Sequence, residues 1–142
     1  KTIMTTKFYL KKNYNNNVLG WDIILNNFNE SVKRKALIKH NPIGFFVSHD
    51  AHDIPELKPV LKDLKCKVAH LYFNIDASSR TFGSHKDTMD VWFWNCQGRT
   101  KWIIEDKKQF ILEPGDLIFV KKDIYHHAIP LTPRAGISMS KE

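Results

Sequence analysis

The stretch that decides the fold runs Leu112-Glu113-Pro114-Gly115-Asp116-Leu117-Ile118-Phe119-Val120 and, five residues later, Tyr125-His126-His127. Pro114-Gly115-Asp116 is turn chemistry, and the apolar run after it reads as a buried strand, with the His pair at the start of the next. The same rhythm extends in both directions. Beyond Cys66 the sequence consists of short β-rich runs separated by polar turns: Val68 to Ile75, Val91 to Cys96, Lys101 to Ile104, Gln109 to Leu112, Asp116 to Val120, His127 to Leu131 and Gly136 to Ser140. Seven strands with no helix between them predict an antiparallel sandwich or barrel.

Upstream of Cys66 the spacing differs. Val18, Trp21, Ile24, Leu25 and Phe28 recur at three and four residues, which predicts a helix within 18–32. Asp53 followed by Glu56 fits a capping box, and Leu57, Val60, Leu61 and Leu64 predict a second helix that starts or kinks near Pro59. Thr2 to Leu10 reads as an edge strand ending in an Asn-rich turn, and Ile43 to Val47 as a short strand. There is no internal repeat, linker or low-complexity tract, so one domain is expected over 1–142, with a helical N-terminal part over 1–65 and a β core over 66–142.

Composition narrows the function classes. An apolar content of 42%, with four Trp and nine Phe, is enough to build a core. The net charge of +7 would suit a nucleic-acid partner, but 18 of the 22 basic residues are Lys, dispersed along the chain, and base reading leans on Arg forks. The sequence therefore argues against nucleic acid. No run approaches the ~18 apolar residues of a membrane span, and no signal-peptide pattern is present, so a cytoplasmic protein is expected. Cys66 and Cys96 are too few for a disulfide framework and are read as reduced core thiols.

The chemistry resides in the histidines and their neighbours. His85 and Asp87 stand two apart, so on a strand they share a face. His126 follows Asp87 by 39 residues, room for a meander to return a third ligand. Two His and one carboxylate form the facial set of non-haem Fe(II) sites. His49 and His52 flank Asp50 at a strand-to-helix junction and read as turn residues; His70, Tyr72 and Asn74 share one strand face that is either cavity or surface. Trp92 and Trp94 share the face opposite Val91, Phe93 and Asn95, and are read as core.

Taken together, His85-Lys86-Asp87, Gly98-Arg99 with Trp102, Pro114-Gly115-Asp116 and His126 resemble the JmjC-type cupins, most closely their ribosomal-protein hydroxylase branch, from about Gly83 to Met139. The resemblance implies a mainly β, double-stranded β-helix (cupin or jelly-roll barrel) with the N-terminal helices packed outside. It implies an oxygenase that uses Fe(II) and 2-oxoglutarate to hydroxylate a protein side chain or small molecule, with His85, Asp87 and His126 as metal ligands. It selects His126 over His127 by distance from the Pro-Gly-Asp turn, and it places Asn95 near the cosubstrate. The family's basic anchor for the distal carboxylate falls here on Thr100; Lys101, in the segment whose match is strongest, is expected to take the role if a bulge after Gly98 turns it inward against strand alternation, with Arg134 the other candidate and Thr100 adding a hydroxyl contact. Two alternatives are a metal-binding cupin without oxygenase activity and a cosubstrate-independent cupin metalloenzyme.

Overall fold

The computed structural model describes residues 2–35, 38–39, 44–79 and 81–142. Two antiparallel sheets face each other, as a double-stranded β-helix requires. The larger contains β1 (Thr2–Met4), β2 (Phe8–Lys11), β3 (Ile38–Lys39), β4 (Phe45–Ser48), β5 (Val68–Asn74), β6 (Val91–Gln97), β9 (Leu117–Val120) and β11 (Arg134–Ser140), in the order β1-β2-β9-β6-β11-β5-β4-β3. The smaller contains β7 (Thr100–Ile104), β8 (Lys108–Leu112) and β10 (His126–Pro130), in the order β10-β7-β8. Helices α1 (Trp21–Lys33) and α2 (Lys58–Leu64) both precede Cys66 and pack outside the barrel. Among the described residues no helix is long and apolar enough to cross a membrane.

Strand parity sorts the side chains into two compartments. Ala69, Leu71 and Phe73 of β5, Trp92, Trp94 and Cys96 of β6, and Ala135, Ile137 and Met139 of β11 join Leu19, Ile24, Leu57 and Val60 in the core between sheet and helices. The opposite face looks into the barrel. One half of that interior is filled by Phe8, Leu10, Phe93, Trp102, Ile104, Leu112, Ile118 and Val120. The other half receives His70, Tyr72, Arg134 and Ser138, and stays open as a cavity. Trp92 and Trp94 are core, as their face predicts, and both cysteines are free and buried.

The N-terminal part departs from its reading in three places. Thr2 to Leu10 is a hairpin, not one strand: Thr5 closes a turn through bonds with Phe8, so β1 becomes the edge and β2 pairs with β9 inside the sheet. The part before Cys66 is therefore not only helical, since it supplies four strands of the larger sheet. The capping box at Asp53 does not form; two single 3-10 turns precede α2, and the Asp53 carboxylate pairs instead with Arg34 at 3.3 Å. Pro59 lies in the first turn of α2, where its missing N–H costs nothing. The strand expected over 43–47 is observed from Phe45; Ile43 lies outside the described residues.

The Pro-Gly-Asp turn serves as a structural hub. Gly115 takes φ +101°, a conformation that favours glycine, and an added Cβ would lie 2.2 Å from Asn16 Oδ1. The buried Asp116 carboxylate accepts bonds from Lys12 Nζ, from the Asn13 N–H at 2.9 Å and from the Glu113 N–H at 2.7 Å, tying the N-terminal hairpin to the barrel. Asp116→Ala strands two backbone donors and a lysine, and a loss of about 2–4 kcal/mol is expected in urea unfolding.

Candidate metal centre

The site begins with backbone pairing. His85 lies outside the named strands, yet its N–H donates to His126 O at 3.0 Å and its carbonyl accepts from the His126 N–H at 2.8 Å. One turn further, the Asp123 N–H donates to Asp87 O at 2.8 Å. A reciprocal pair of this kind puts both His side chains on one side of the ladder. Their ring centroids are 4.5 Å apart.

Each ring is then fixed in the same way. His85 Nδ1 lies 2.9 Å from Gly83 O, and His126 Nδ1 lies 2.9 Å from Ile124 O, a carbonyl two residues upstream in both cases. A carbonyl only accepts, so Nδ1 carries a proton and Nε2 is the nitrogen turned to the site, where loss of any second proton leaves the lone pair of a metal-binding imidazole. Both Nε2 atoms turn toward Asp87, with His126 Nε2 at 3.3 Å from Oδ2 and His85 Nε2 at 4.0 Å from Oδ1. The three donor atoms lie within 4.8 Å of one another. An ion with bonds of ~2.1 Å separates neighbouring ligands by about 3 Å, so a small contraction closes the set around it. The bond with His126 holds Asp87 below the usual carboxylate range, against the opposing effect of partial burial. A cation would displace that shared proton.

The triad opens into a cavity of about 210 Å³. Trp102 stacks on His126 at 5.4 Å and leans on Phe93 at 5.2 Å, while Phe82 packs edge-on against His85 and Tyr72. At the buried end stands Arg134, 1% exposed, its guanidinium over Phe45 and Phe93. Its Nε donates to Asn74 Oδ1 at 2.7 Å, and its Nη1 has no hydrogen-bond partner among the described residues. Burial lowers its pKa to about 10, so it remains charged at neutral pH. The Tyr72 phenol, pushed up to about 12 chiefly by burial, shares the chamber and stays neutral.

The residues read from the sequence fall into two groups. His85, Asp87, His126 and Arg134 line one cavity, and Val91 and Phe93 line it too, as their parity predicts. Lys101, the expected anchor, does not: β7 alternates strictly, Thr100 and Trp102 point inward, and Lys101 is carried to the outer face. The bulge that would have turned it back is absent from the β7–β8 and β7–β10 registers. Asn95 and Thr100 are inside but occupied. The Thr100 hydroxyl donates to Asn95 Oδ1 at 3.0 Å, and Asn95 Nδ2 donates to Gly98 O at 2.8 Å, so the pair braces the Gly98 turn and is not among the cavity-lining residues. His127 lines a separate outer groove with Ser78 and Pro130. His49 is more than a turn residue, since it stacks on His70 at 4.3 Å. The sequence reading missed Phe82 and Met89, which line the cavity from loops where no period marks them.

Fold and site define a barrel of the jelly-roll type with a candidate mononuclear metal centre at its open half. No family model matches the chain, and no characterised protein matches its sequence. Solved structures do. A crystal structure of the ribosomal oxygenase YcfD from Escherichia coli superposes with TM-score 0.75 at 12% identity, over 96% of this chain and 50% of that one. The same enzyme with cobalt and 2-oxoglutarate gives TM-score 0.62 at 16% identity, over 73% and 34%. KdgF from a Halomonas species gives 0.55 at 18%, over 77% and 91%. The chain thus spans between a third and a half of the ribosomal oxygenase, and what it shares with it is the fold.

Single changes His85→Ala, Asp87→Ala and His126→Ala are expected to abolish stoichiometric Co(II) binding in an anaerobic titration, whereas His127→Ala leaves one ion per chain. Loss in His127→Ala alone would shift the ligand register by one residue.

Proposed function

We propose that the chain is an Fe(II)- and 2-oxoglutarate-dependent oxygenase that hydroxylates a protein side chain or small molecule. The observation that carries this reading is the pairing, in one cavity, of a two-His, one-carboxylate set with a buried guanidinium whose Nη1 is unsatisfied among the described residues. A buried cation without a partner is costly, and an anionic ligand removes the cost. The residues fit both groups: the triad leaves open positions for a chelating oxoacid, and Arg134 with the Tyr72 hydroxyl would grip its distal carboxylate. Arg134 thereby takes the role expected of Lys101.

The net reaction would be R–H with O2 and 2-oxoglutarate giving R–OH, succinate and CO2. Bound iron would supply oxygen activation coupled to decarboxylation of the oxoacid. The chain's own residues bind, orient and exclude water. Gly83 and Ile124 carbonyls hold the imidazoles, Asn74 aims Arg134, and Phe45, Phe82, Phe93 and Trp102 wall off the chamber. No side chain need act as an acid or base. The likeness to the cobalt and 2-oxoglutarate complex supports this reading.

A second reading is a metal-binding barrel that does not turn over an oxoacid. It is favoured by the triad being a complete ligand set on its own, whether or not an oxoacid reaches Arg134. One experiment separates them. The anaerobic Fe(II) protein is expected to develop a weak visible charge-transfer band on addition of 2-oxoglutarate, and to form succinate when oxygen is admitted. Absence of both would leave the second reading. Arg134→Met is expected to keep the metal and lose oxoacid affinity by about 100-fold, roughly 3 kcal/mol, with little change in the thermal midpoint, because removal of an incompletely paired buried cation offsets the loss of the donor to Asn74 Oδ1.

A further inference from the structure

The cavity extends past the triad, away from Arg134. In the register of β5 and β11, Asn74 faces Arg134, Tyr72 faces Gly136, His70 faces Ser138 and Val68 faces Ser140. These rows are about 7 Å apart, so the last lies ~20 Å along the strands from the first. Arg134 and Tyr72 occupy the near end under the triad, and the Phe93 ring, rooted in the Ser138 row, leans back over Gly136 toward Arg134. The segment from Asp87 through Met89 to Val91 leads to the far end, where Val68, His70, Ser138 and Ser140 complete the wall. An oxoacid on Arg134 and the triad leaves this far end to the group that is oxidised.

We propose that this far end receives an uncharged polar group on an aliphatic stem, and that His70 selects it. The inference rests on the reading of the triad as the reaction centre. Among the described lining residues the carboxylates and the guanidinium or ammonium groups are Asp87 and Arg134 alone, and both are committed. A guanidinium, ammonium or carboxylate entering past Val68, Met89 and Val91 would lose its water and gain no counter-ion. A neutral group meets no such penalty.

His70 supplies the polar contact. Its ring flanks the far end, half-buried, with one face covered by His49, and makes no side-chain hydrogen bond among the described residues. Burial first, then the neighbouring His49 and His52, shift it below the usual histidine range and so favour the neutral ring. A neutral imidazole offers one donor and one acceptor, the complement of a carboxamide. The hydroxyls nearby are less free: Ser140 donates to Glu142 O at 2.9 Å, and Ser138 lies close enough to the Tyr72 phenol to act on it. Selection therefore falls to His70.

The test uses the Co(II)-loaded protein with 2-oxoglutarate and reads the visible Co(II) bands during titration with N-acetyl-glutamine N-methylamide and its lysine and glutamate counterparts. The glutamine probe is expected to perturb the bands with a dissociation constant at least about tenfold below either charged probe. His70→Leu is expected to weaken it about tenfold, His70→Gln to hold it within roughly threefold, and His70→Glu to turn preference to the lysine probe. Equal or tighter binding of a charged probe, no response to any probe, or an unchanged constant in His70→Leu overturns the inference. Failure of 2-oxoglutarate itself to shift the bands would instead sink the oxygenase reading, and the probes would still report the far end through the metal.

Discussion

The site depends on two backbone hydrogen bonds. The reciprocal pair between His85 and His126 joins residues 41 apart in sequence and is an isolated bridge, with no strand around His85 to support it. Everything chemical is hung from it. It sets the two imidazoles side by side, and alternation then carries Asp87 back to the same side, where its carbonyl receives the Asp123 N–H. Each imidazole is also oriented by the carbonyl two residues before it, so the ligand directions follow from main-chain geometry and not from long side-chain networks. Because the ligand rings are held by local backbone, the cavity walls can vary without disturbing them.

How much of this could be read beforehand follows the same division. Where periodicity controls direction, the residues spoke for themselves: parity on β6 separated Trp92 and Trp94 from Val91 and Phe93, whereas His85 and Asp87, read as strand neighbours, are brought together by an isolated bridge and a loop. Position in the ladder also separates His126 from His127, because neighbouring residues on a strand face opposite ways. Prediction failed where a motif has two physical uses. Asp53 and Glu56 have capping-box spacing, but Arg34 of the turn after α1 draws the Asp53 carboxylate away. Thr5 and Thr6 sit in a β-prone run, but Thr5 folds back on Phe8 and splits the run into a hairpin. The anchor shows the limit most clearly. Lys101 lies in the best-matching segment, yet a strand without a bulge cannot present it, and Arg134 was the remaining base with inward parity.

The barrel interior is divided because its two halves meet opposite demands. The half under β2, β8 and β9 is packed with Phe8, Leu10, Leu112, Ile118 and Val120, and it carries the burial that holds the two sheets together. The other half forgoes such packing to keep an open chamber with a buried guanidinium. Gly136 marks the boundary: an added Cβ would lie 2.1 Å from the Phe93 ring, so glycine there lets Phe93 lie flat between packed core and cavity. A chamber of this kind weakens the fold locally, a trade that functional sites commonly make.

Charge closes the argument for reading the two ends of the chamber together. Asp87 and Arg134 are its ionised walls, one of each sign, at opposite sides of the same space. Separated in this way they cannot form an ion pair, and each is left incompletely compensated in a poorly hydrated interior. A divalent cation at the triad would overcompensate Asp87 by one charge, and the chamber would then hold an excess of two positive charges with Arg134. A dianionic oxoacid lying between the cation and the guanidinium cancels that excess. Neither ligand alone balances the space, whereas the two together add no net charge to it. On the proposed function the electrostatics of the cavity would couple the two bindings, each strengthening the other, and a monoanion or a neutral chelate in place of the dianion would leave a buried positive charge behind.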